Sequence, residues 1–109
     1  RGSNCINTAG EKVYPEEVEE ALKFHEAVAD ALVVGVKDEK WGQSITAVVQ
    51  PHDGCVIDEL ALREFSRKHL AAYKLPKKIL IKDDLNRAPN GKADYKSIQE
   101  YAEQQLGIN

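Results

Sequence analysis

The sequence predicts a small α+β domain, in which a short sheet made of an N-terminal hairpin and about three core strands packs against three helices. Three observations carry this prediction. The chain has 109 residues, which suits a single domain. Apolar residues recur at helical spacing in three segments, and Val- and Ile-rich segments between them have the composition of strands. With one layer of helices on the sheet, we expect one hydrophobic core.

The N-terminal part predicts a hairpin followed by a helix. Residues 5–8 and 12–14 flank the dipeptide Ala9-Gly10, and glycine supplies the positive φ that a tight hairpin turn requires. Pro15 then stands at a favourable first helical position, before acidic residues that suit the positive end of the helix dipole. The helical spacing of the apolar residues places the first helix over 15–26.

The middle of the chain predicts two paired strands and a second helix. Residues 31–36 form a continuous apolar run, and residues 45–50 follow a period of two, as strands do. Asp58 is a favourable N-cap for a helix that continues to about Tyr73. Pro76 prevents this helix from going further.

The C-terminal part predicts a third core strand, an irregular turn and a last helix. Residues 79–81 are apolar, whereas 83–92 lacks either periodicity and is rich in Asn, Pro and Gly, which favour turns. Asp94 is a favourable N-cap for the last helix. The face of this helix that we expect to be buried consists of Ile98, Tyr101, Ala102 and Gln105.

Several classes of ligand are disfavoured by the sequence. The formal net charge is -3, whereas nucleic-acid binding normally needs a basic surface. No apolar run has the length of a membrane span. The sequence lacks a Gly-rich phosphate loop and the GxGxxG and GxSxG motifs, so a nucleotide pocket would have to lie elsewhere.

We expect Trp41 to anchor a surface loop, with stacking on a ligand as the alternative.

The cysteines and histidines predict no metal site. Cys5 and Cys55 are far apart and form no CxxC motif, and we expect no secretory segment. We therefore expect reduced thiols that serve as packing residues in a cytoplasmic protein. His25, His52 and His69 share no zinc-ligand spacing with each other or with the cysteines. We place His25 and His69 on helix faces and His52 in a turn.

Lys92 stands at a position where a lysine is not expected to stabilise the fold. It stands two residues before the N-cap Asp94, where the positive end of a helix dipole disfavours a cation by roughly 0.3 to 1 kcal/mol. The same position favours an anionic ligand, because the helix N-terminus and the ammonium attract the same phosphate or carboxylate. Arg87 and Lys96 are close enough in sequence to add to this field. In the alternative, Lys92 is a solvated turn residue whose counter-ions are Asp83, Asp84 or Asp94.

Two segments near the ends of the chain resemble motifs of one enzyme superfamily. Residues 1–19, RGSNCINTAGEKVYPEEVE, resemble the hinge-and-hairpin motif that opens the C-terminal domain of acyl-adenylate-forming enzymes. This superfamily includes acyl-CoA synthetases, peptide-synthetase adenylation domains and luciferases. Residues 89–94, PNGKAD, resemble its closing lysine motif. The resemblance covers essentially the whole chain, and the N-terminal segment is most similar to fatty-acyl-CoA synthetases of actinobacteria.

The resemblance implies a ligase that works in two steps. The carboxylic acid attacks ATP, which Mg²⁺ accompanies, to give acyl-AMP and pyrophosphate. The C-terminal domain then rotates, and the thiol of CoA displaces AMP. Lys92 would be the catalytic residue that contacts the α-phosphate and the carboxylate oxygens in the first step. Arg1 would bind the ribose or phosphate of the nucleotide, and Ser3 would occupy the hinge position, where Asp or Lys is usual in the family.

The hairpin would take part in the second step. The resemblance implies that its loop lines the tunnel for the pantetheine arm of CoA, and this loop consists of Thr8, Ala9, Gly10 and Glu11. Ala9 replaces a glycine that is common in the family, whereas Gly10 is kept. Glu17 and Glu19 match acidic positions of the motif, to which we assign a structural role. No metal ligand is assigned to any residue of the chain.

The resemblance also implies that residues 1–109 form a mobile C-terminal, or lid, domain. Its partner would be a large N-terminal adenylation domain that is absent from this chain. The substrates would be a fatty or other carboxylic acid, ATP and CoA, and the isolated chain would be inactive. Two alternatives remain open: a stand-alone binding module of the same fold without catalysis, or the corresponding domain of an enzyme that loads a carrier protein.

Overall fold

A computed structural model describes residues 5–107 of the chain. Five strands, three α-helices and a 3₁₀ helix follow one another along this part of the sequence. In chain order they are β1 Ile6–Thr8, β2 Glu11–Val13, α1 Pro15–Lys23, β3 Val28–Asp38, β4 Gly42–Pro51, α2 Glu59–Ser66, the 3₁₀ helix Ala72–Lys74, β5 Lys78–Ile81 and α3 Tyr95–Leu106. The predicted α+β class, with an N-terminal hairpin, three further strands and three helices, is confirmed.

The strands form one sheet around the long strand β4. β3 pairs with β4 along both strands, with Val28 opposite Pro51 at one end and Asp38 opposite Gly42 at the other. β1 pairs with β2 in the hairpin and meets the start of β4, where Thr8 lies opposite Gly42. β5 runs parallel to β4, whereas the other pairs are antiparallel. β3 therefore forms one edge of the sheet.

Helices cover both faces of the sheet, so the prediction of one helical layer and one core is wrong. Successive residues of a strand point to opposite faces. In β3, Ala31 and Val33 pack in one cluster with residues of α1 and α2, whereas Leu32, Val34 and Val36 pack in the other with residues of α3. The apolar run of β3 serves two cores, which explains why it lacks polar alternation.

The first two helices end earlier than the sequence predicts. α1 ends at Lys23 rather than at residue 26, because the next two amides bond to carbonyls three residues back instead of four. α2 ends at Ser66 rather than near Tyr73, and residues 67–71 turn so that Leu70 is buried. The spacing of apolar residues predicts which side chains are buried, but it does not report the hydrogen bonds that end a helix.

α3 begins where its cap predicts. The Asp94 carboxylate accepts a hydrogen bond from the Ser97 amide at 3.1 Å, as an N-cap residue does. Gln105 is exposed, contrary to the prediction, and Leu106 packs against the core cluster instead. The rest of the predicted inner face is buried or half-buried, and it consists of Ile98, Tyr101 and Ala102.

Side chains from α1 and α3 close the outer edge of β3. One oxygen of the Glu19 carboxylate accepts hydrogen bonds from the Val33 amide at 3.0 Å and from the Tyr95 hydroxyl at 2.7 Å. The Gln99 side-chain amide donates to the Gly35 carbonyl at 2.8 Å. Burial raises the pKa of Glu19, and the hydrogen bonds from Tyr95 and Val33 oppose this shift. These bonds join α1, β3 and α3, which agrees with the structural role predicted for Glu19.

Candidate functional site

Residues 88–92 form a tight turn, the lysine turn, that presents Lys92 to solvent. The Gly91 amide donates to the Ala88 carbonyl at 2.8 Å, and the Ala88 amide donates to the Lys92 carbonyl at 3.0 Å. The Asn90 side chain accepts a hydrogen bond from the Lys92 amide at 3.1 Å. Gly91 has a φ of 85°, a conformation that favours glycine. Local turn residues thus shape the segment, and the Lys92 side chain is exposed.

The Lys92 ammonium has no acidic partner within 4.0 Å among residues 5–107. Two of the expected counter-ions are otherwise engaged, since Asp84 accepts a hydrogen bond from the Asn86 amide and Asp94 caps α3. The counter-ion pairing of the alternative is therefore not seen among the described residues, whereas the exposed side chain agrees with a solvated turn lysine. Lys96 is also exposed in the first turn of α3, so the positive charge near this helix N-terminus suits an anionic ligand.

Arg87 does not extend the positive field around Lys92, in contrast to the expectation from the sequence. Its guanidinium binds the Asp30 carboxylate through hydrogen bonds of 2.6 and 3.0 Å, and it donates a third bond, of 3.0 Å, to the Gly91 carbonyl. Burial would raise the pKa of Asp30, but the hydrogen bonds from Arg87 and from the Ala31 amide outweigh it and lower the pKa. The charge of Arg87 is therefore largely neutralised within the domain.

The hairpin turn between β1 and β2 consists of two residues in left-handed conformations. Ala9 has a φ of 52° and Gly10 a φ of 83°, and Thr8 pairs with Glu11 across the turn. The Ala9 amide donates to the Trp41 carbonyl at 2.8 Å, which fastens the turn to the loop before β4. The predicted hairpin is confirmed, with Thr8 buried and the other three loop residues exposed.

A pocket of about 310 Å³ opens beside the hairpin turn. The Lys77 ammonium lies 4.4 Å from the centre of the Trp41 ring, a distance typical of a cation–π contact. Trp41 anchors its loop, as expected, because its carbonyl holds the hairpin, and the residue also lines the pocket. The lining residues are Thr8, Ala9, Trp41, Ala72, Tyr73 and Lys77.

Sequence reasoning missed Tyr73 and Lys77 as pocket residues. The available signal was the segment 73–78, which begins with an aromatic residue and contains three lysines. Because the second helix was extended to Tyr73, this residue was assigned to a helix end. In the structure it belongs to the 3₁₀ helix, which lines the same pocket as Trp41.

The lysine turn and the hairpin turn lie at opposite ends of the β3–β4 pair. Arg87 fastens the lysine turn to Asp30 near the start of β3. β1 meets β4 at Gly42, which pairs with Asp38 at the end of β3. The distance from Asp30 to Asp38 is roughly 26 Å along an extended strand. The two turns therefore cannot both reach one small reacting centre while the domain keeps a single orientation.

The cysteines and acidic residues form no metal centre in the described structure. Among residues 5–107, no group of three or more His, Cys, Asp or Glu side chains could hold a metal ion. Both cysteines are free thiols, as predicted. Cys5 is partly buried, but Cys55 is exposed after the turn that follows β4, so the packing role predicted for Cys55 is wrong. No helix in this part of the chain is long and apolar enough to cross a membrane.

The histidines lie in turns rather than on helix faces. His25 follows the end of α1 and packs edge-on against Phe65, with ring centres 4.9 Å apart. His69 follows α2 and stacks on Phe24 at 4.9 Å. The helix-face positions predicted for both are wrong because the helices end early. The turn position of His52 is confirmed, since its carbonyl accepts a bond from the amide three residues on.

Two further residues with predicted roles, Arg1 and Ser3, lie outside the described residues 5–107. Their roles in nucleotide binding and as a hinge therefore stay predictions.

The chain is similar to known proteins over most of its length. The model of the family described as "AMP-binding enzyme C-terminal domain" matches residues 17–92. A medium/long-chain-fatty-acid–CoA/3-oxocholest-4-en-26-oate–CoA ligase from Mycobacterium tuberculosis is 50% identical over 103 residues, which are 94% of this chain and 19% of that protein. A 3-oxocholest-4-en-26-oate–CoA ligase from Rhodococcus rhodochrous is 48% identical over 108 residues, which are 99% of this chain and 19% of that protein.

A solved structure has the same fold. The Mycobacterium tuberculosis fatty acyl CoA synthetase superposes with a TM-score of 0.89 and 32% identity, over 96% of this chain and 21% of that chain. The chain spans about a fifth of the length of the curated relatives it matches. Because the family model matches well over half of its residues, this chain belongs to the family of AMP-binding enzyme C-terminal domains.

Proposed function

We propose that this chain is the mobile C-terminal domain of an ATP-dependent ligase that joins a fatty acid, or another carboxylic acid, to CoA. The observation that carries the proposal is the placement of two exposed turns at opposite ends of one strand pair, with a pocket beside one turn and, on the other, a lysine that has no acidic partner among residues 5–107. Its partner would be a large N-terminal adenylation domain that this chain does not contain. The names of its relatives, which are those of acid–CoA ligases, support the same activity.

Lys92 is assigned to the first half-reaction. A carboxylate oxygen of the acid attacks the α-phosphorus of ATP, so that acyl-AMP forms and pyrophosphate leaves. Two anionic groups approach each other in this step, and a nearby cation lowers the electrostatic cost of the transition state. Lys92 suits this task because its ammonium is exposed, precedes the N-terminus of α3 and has no acidic partner among residues 5–107.

The hairpin turn is assigned to the second half-reaction, in which the CoA sulfur attacks the acyl carbon and AMP leaves. After the domain rotates, the loop 8–11 would line the tunnel for the pantetheine arm. The adjoining pocket supports this assignment. Its Trp41 and Tyr73 rings offer flat apolar surfaces and Lys77 offers a positive charge, which together suit a thiol that carries a nucleotide.

The N-terminal residues complete the proposal. Arg1 would bind the ribose or phosphate of the nucleotide, and Ser3 would be the hinge about which the domain turns. Magnesium would arrive with ATP, and the described residues offer no cluster of their own to hold it. A cytoplasmic enzyme agrees with the two free thiols.

The test uses Lys92→Ala in the full-length ligase that contains this chain. We expect acyl-AMP formation to fall by about 100-fold or more, because the lysine acts on charge in the transition state of that step. Conversion of supplied acyl-AMP to acyl-CoA should stay within about threefold of the wild type, since the hairpin faces the reaction in that step. Pyrophosphate release measures the first half-reaction, and thioester formation measures the second.

Lys68→Ala is the matched control for this substitution. Lys68 is also exposed, but it follows α2, which packs on the sheet face opposite to α3. The control should leave both half-reactions unchanged. Equal losses in the two half-reactions of Lys92→Ala would contradict the role assigned to the lysine, and full adenylation activity would contradict the proposed function.

A further inference from the structure

The lysine turn is tied to the sheet by the ion pair between Arg87 and Asp30, and we propose that this pair positions Lys92 for adenylation. The inference rests on the proposed function. Arg87 is then a positioning residue, which acts through Lys92 and does not itself touch the substrates.

The guanidinium of Arg87 joins two parts of the chain that are 57 residues apart. Its Nε and one terminal nitrogen donate to the two carboxylate oxygens of Asp30, a fork that fixes the plane of the guanidinium. The other terminal nitrogen donates to the Gly91 carbonyl at 3.0 Å. This carbonyl belongs to the peptide bond that leads directly to Lys92, so the position of the lysine backbone depends on the ion pair.

Asp30 is a firm point of attachment for the turn. Its Oδ1 accepts a hydrogen bond from the Ala31 amide at 2.9 Å in addition to the bond from Arg87. The residue belongs to β3 and lies opposite Gln50 in the longest strand pair of the sheet. Its side chain is 20% exposed, so the pair is less screened by solvent than an ion pair on the open surface.

The other hydrogen bonds of the lysine turn in the described structure are local. Those within residues 88–92 set its shape, but they do not fix its orientation relative to the sheet. Leu85 is buried before the turn, and the bond from Tyr95 to Glu19 fastens the start of α3 after it. Arg87 supplies the attachment next to the turn itself. Lys92 is therefore held by Arg87 on its N-terminal side and by the bond of Tyr95 on its C-terminal side.

Loss of this attachment should lower the rate of adenylation more than the binding of substrates. The Lys92 ammonium must lie close to the negative charge of the adenylation transition state. A misplacement of the ammonium by about 1 Å can lower the rate on the order of 100-fold. The thioester step, which is assigned to the other end of the domain, does not use Lys92 and should not change.

Arg87→Ala and Arg87→Lys test the inference in the full-length ligase. We expect Arg87→Ala to lower kcat of adenylation by about 10- to 100-fold, with KM for ATP and conversion of supplied acyl-AMP each within about threefold of the wild type. Arg87→Lys keeps the positive charge but loses the two parallel hydrogen bonds to Asp30, so it should recover only a minor part of the adenylation rate. If the alanine variant does not fold, the lysine variant tests the positioning role in its place. In a Lys92→Ala background, Arg87→Ala should cause no further loss of adenylation.

Arg63→Ala is the matched control, because Arg63 braces a different segment in the same manner. Its side chain pairs with Glu59 and donates to the carbonyls of Pro76 and Lys77, just before β5. We expect adenylation by this variant to stay within about threefold of the wild type, because the braced segment does not carry Lys92.

The outcomes separate the two proposals. Unchanged adenylation by Arg87→Ala, equal losses in both half-reactions, or a further loss in the Lys92→Ala background would overturn the positioning role and leave the role of Lys92 intact. Normal adenylation by Lys92→Ala alone would instead overturn the proposed function, and the positioning role with it.

Discussion

Ala9 adopts a left-handed conformation, with a φ of 52°, that residues other than glycine rarely take. The conformation costs a residue with a Cβ atom about 1 to 2 kcal/mol, whereas glycine avoids this cost but loses about 0.5 to 1 kcal/mol more in backbone entropy. We therefore expect Ala9→Gly to raise the free energy of unfolding by up to about 1.5 kcal/mol. Urea denaturation of the chain, followed by the fluorescence of its single tryptophan, measures the change.

Gly10→Ala is the control, for which we expect the free energy of unfolding to fall rather than rise. Gly10 has a φ of 83°, and a Cβ atom there would meet nothing within 4 Å, so only the backbone conformation opposes the substitution. We expect a loss of about 1 kcal/mol. A lower stability of Ala9→Gly would mean that relief of strain does not exceed the entropy cost, against the expectation.

Tyr95 donates a hydrogen bond to the Glu19 carboxylate in a partly buried position. Tyr95→Phe removes this donor while keeping the ring, so we expect a loss of about 1 to 2 kcal/mol in the free energy of unfolding at neutral pH. Tyr101→Phe is the control, because its hydroxyl donates to the Ile81 carbonyl at an exposed position and should contribute less than about 0.5 kcal/mol. Equal losses of unfolding free energy in the two variants would contradict the expectation that the partly buried hydrogen bond contributes more than the exposed one.

The difference between the wild type and Tyr95→Phe should shrink at alkaline pH. Burial, and then the hydrogen bond to the Glu19 carboxylate, raise the pKa of Tyr95 above its ordinary value of 10.0. Above that value the folded state therefore binds more protons than the unfolded state, and the stability of the wild type falls as the pH rises. The Phe variant lacks this contribution. Denaturation in urea from about pH 8 to about pH 11 measures the difference, and a constant difference would contradict the raised pKa.

At the scale of elements, local signals were sufficient for the positions of strands and helices but not for their ends. The hairpin follows from Ala9-Gly10, and the start of α3 follows from Asp94, because a turn and an N-cap are decided by adjacent residues. The end of α2 depends on burying Leu70, which is a tertiary contact. The second core was missed because a continuous apolar run does not tell which helices cover the two faces of β3.

The same distinction applies to the candidate site. The lysine turn was predictable because Asn, Pro and Gly shape it locally. The attachment of Arg87 to Asp30 was not, since these residues are 57 positions apart and neither composition nor periodicity reports such a pair. The contact between Lys77 and Trp41 is of the same kind, because it depends on how the segment before β5 lies against the loop before β4.

At the scale of the whole domain, the sheet has a different exposed turn at each end, and its packing favours movement as one rigid body. β3 and β4 pair over their full length, and both faces of the sheet are covered by close-packed side chains. A bend between the two ends would open these cores, which packed interiors resist. If the domain serves two half-reactions as proposed, rotation of the entire domain is therefore the less costly way to exchange the lysine turn for the hairpin turn.

The 109-residue chain by itself should catalyse neither half-reaction. The pocket beside the hairpin turn, about 310 Å³, lies at the end of the domain away from Lys92, so it cannot hold an acid and ATP against that lysine. We expect no pyrophosphate release and no acyl-CoA from the isolated chain, with the full-length ligase as the positive control and circular dichroism as the check that the chain is folded. Turnover by the folded chain would contradict the proposal that the acid and ATP sites lie on another domain, because it would require a complete active site within these residues.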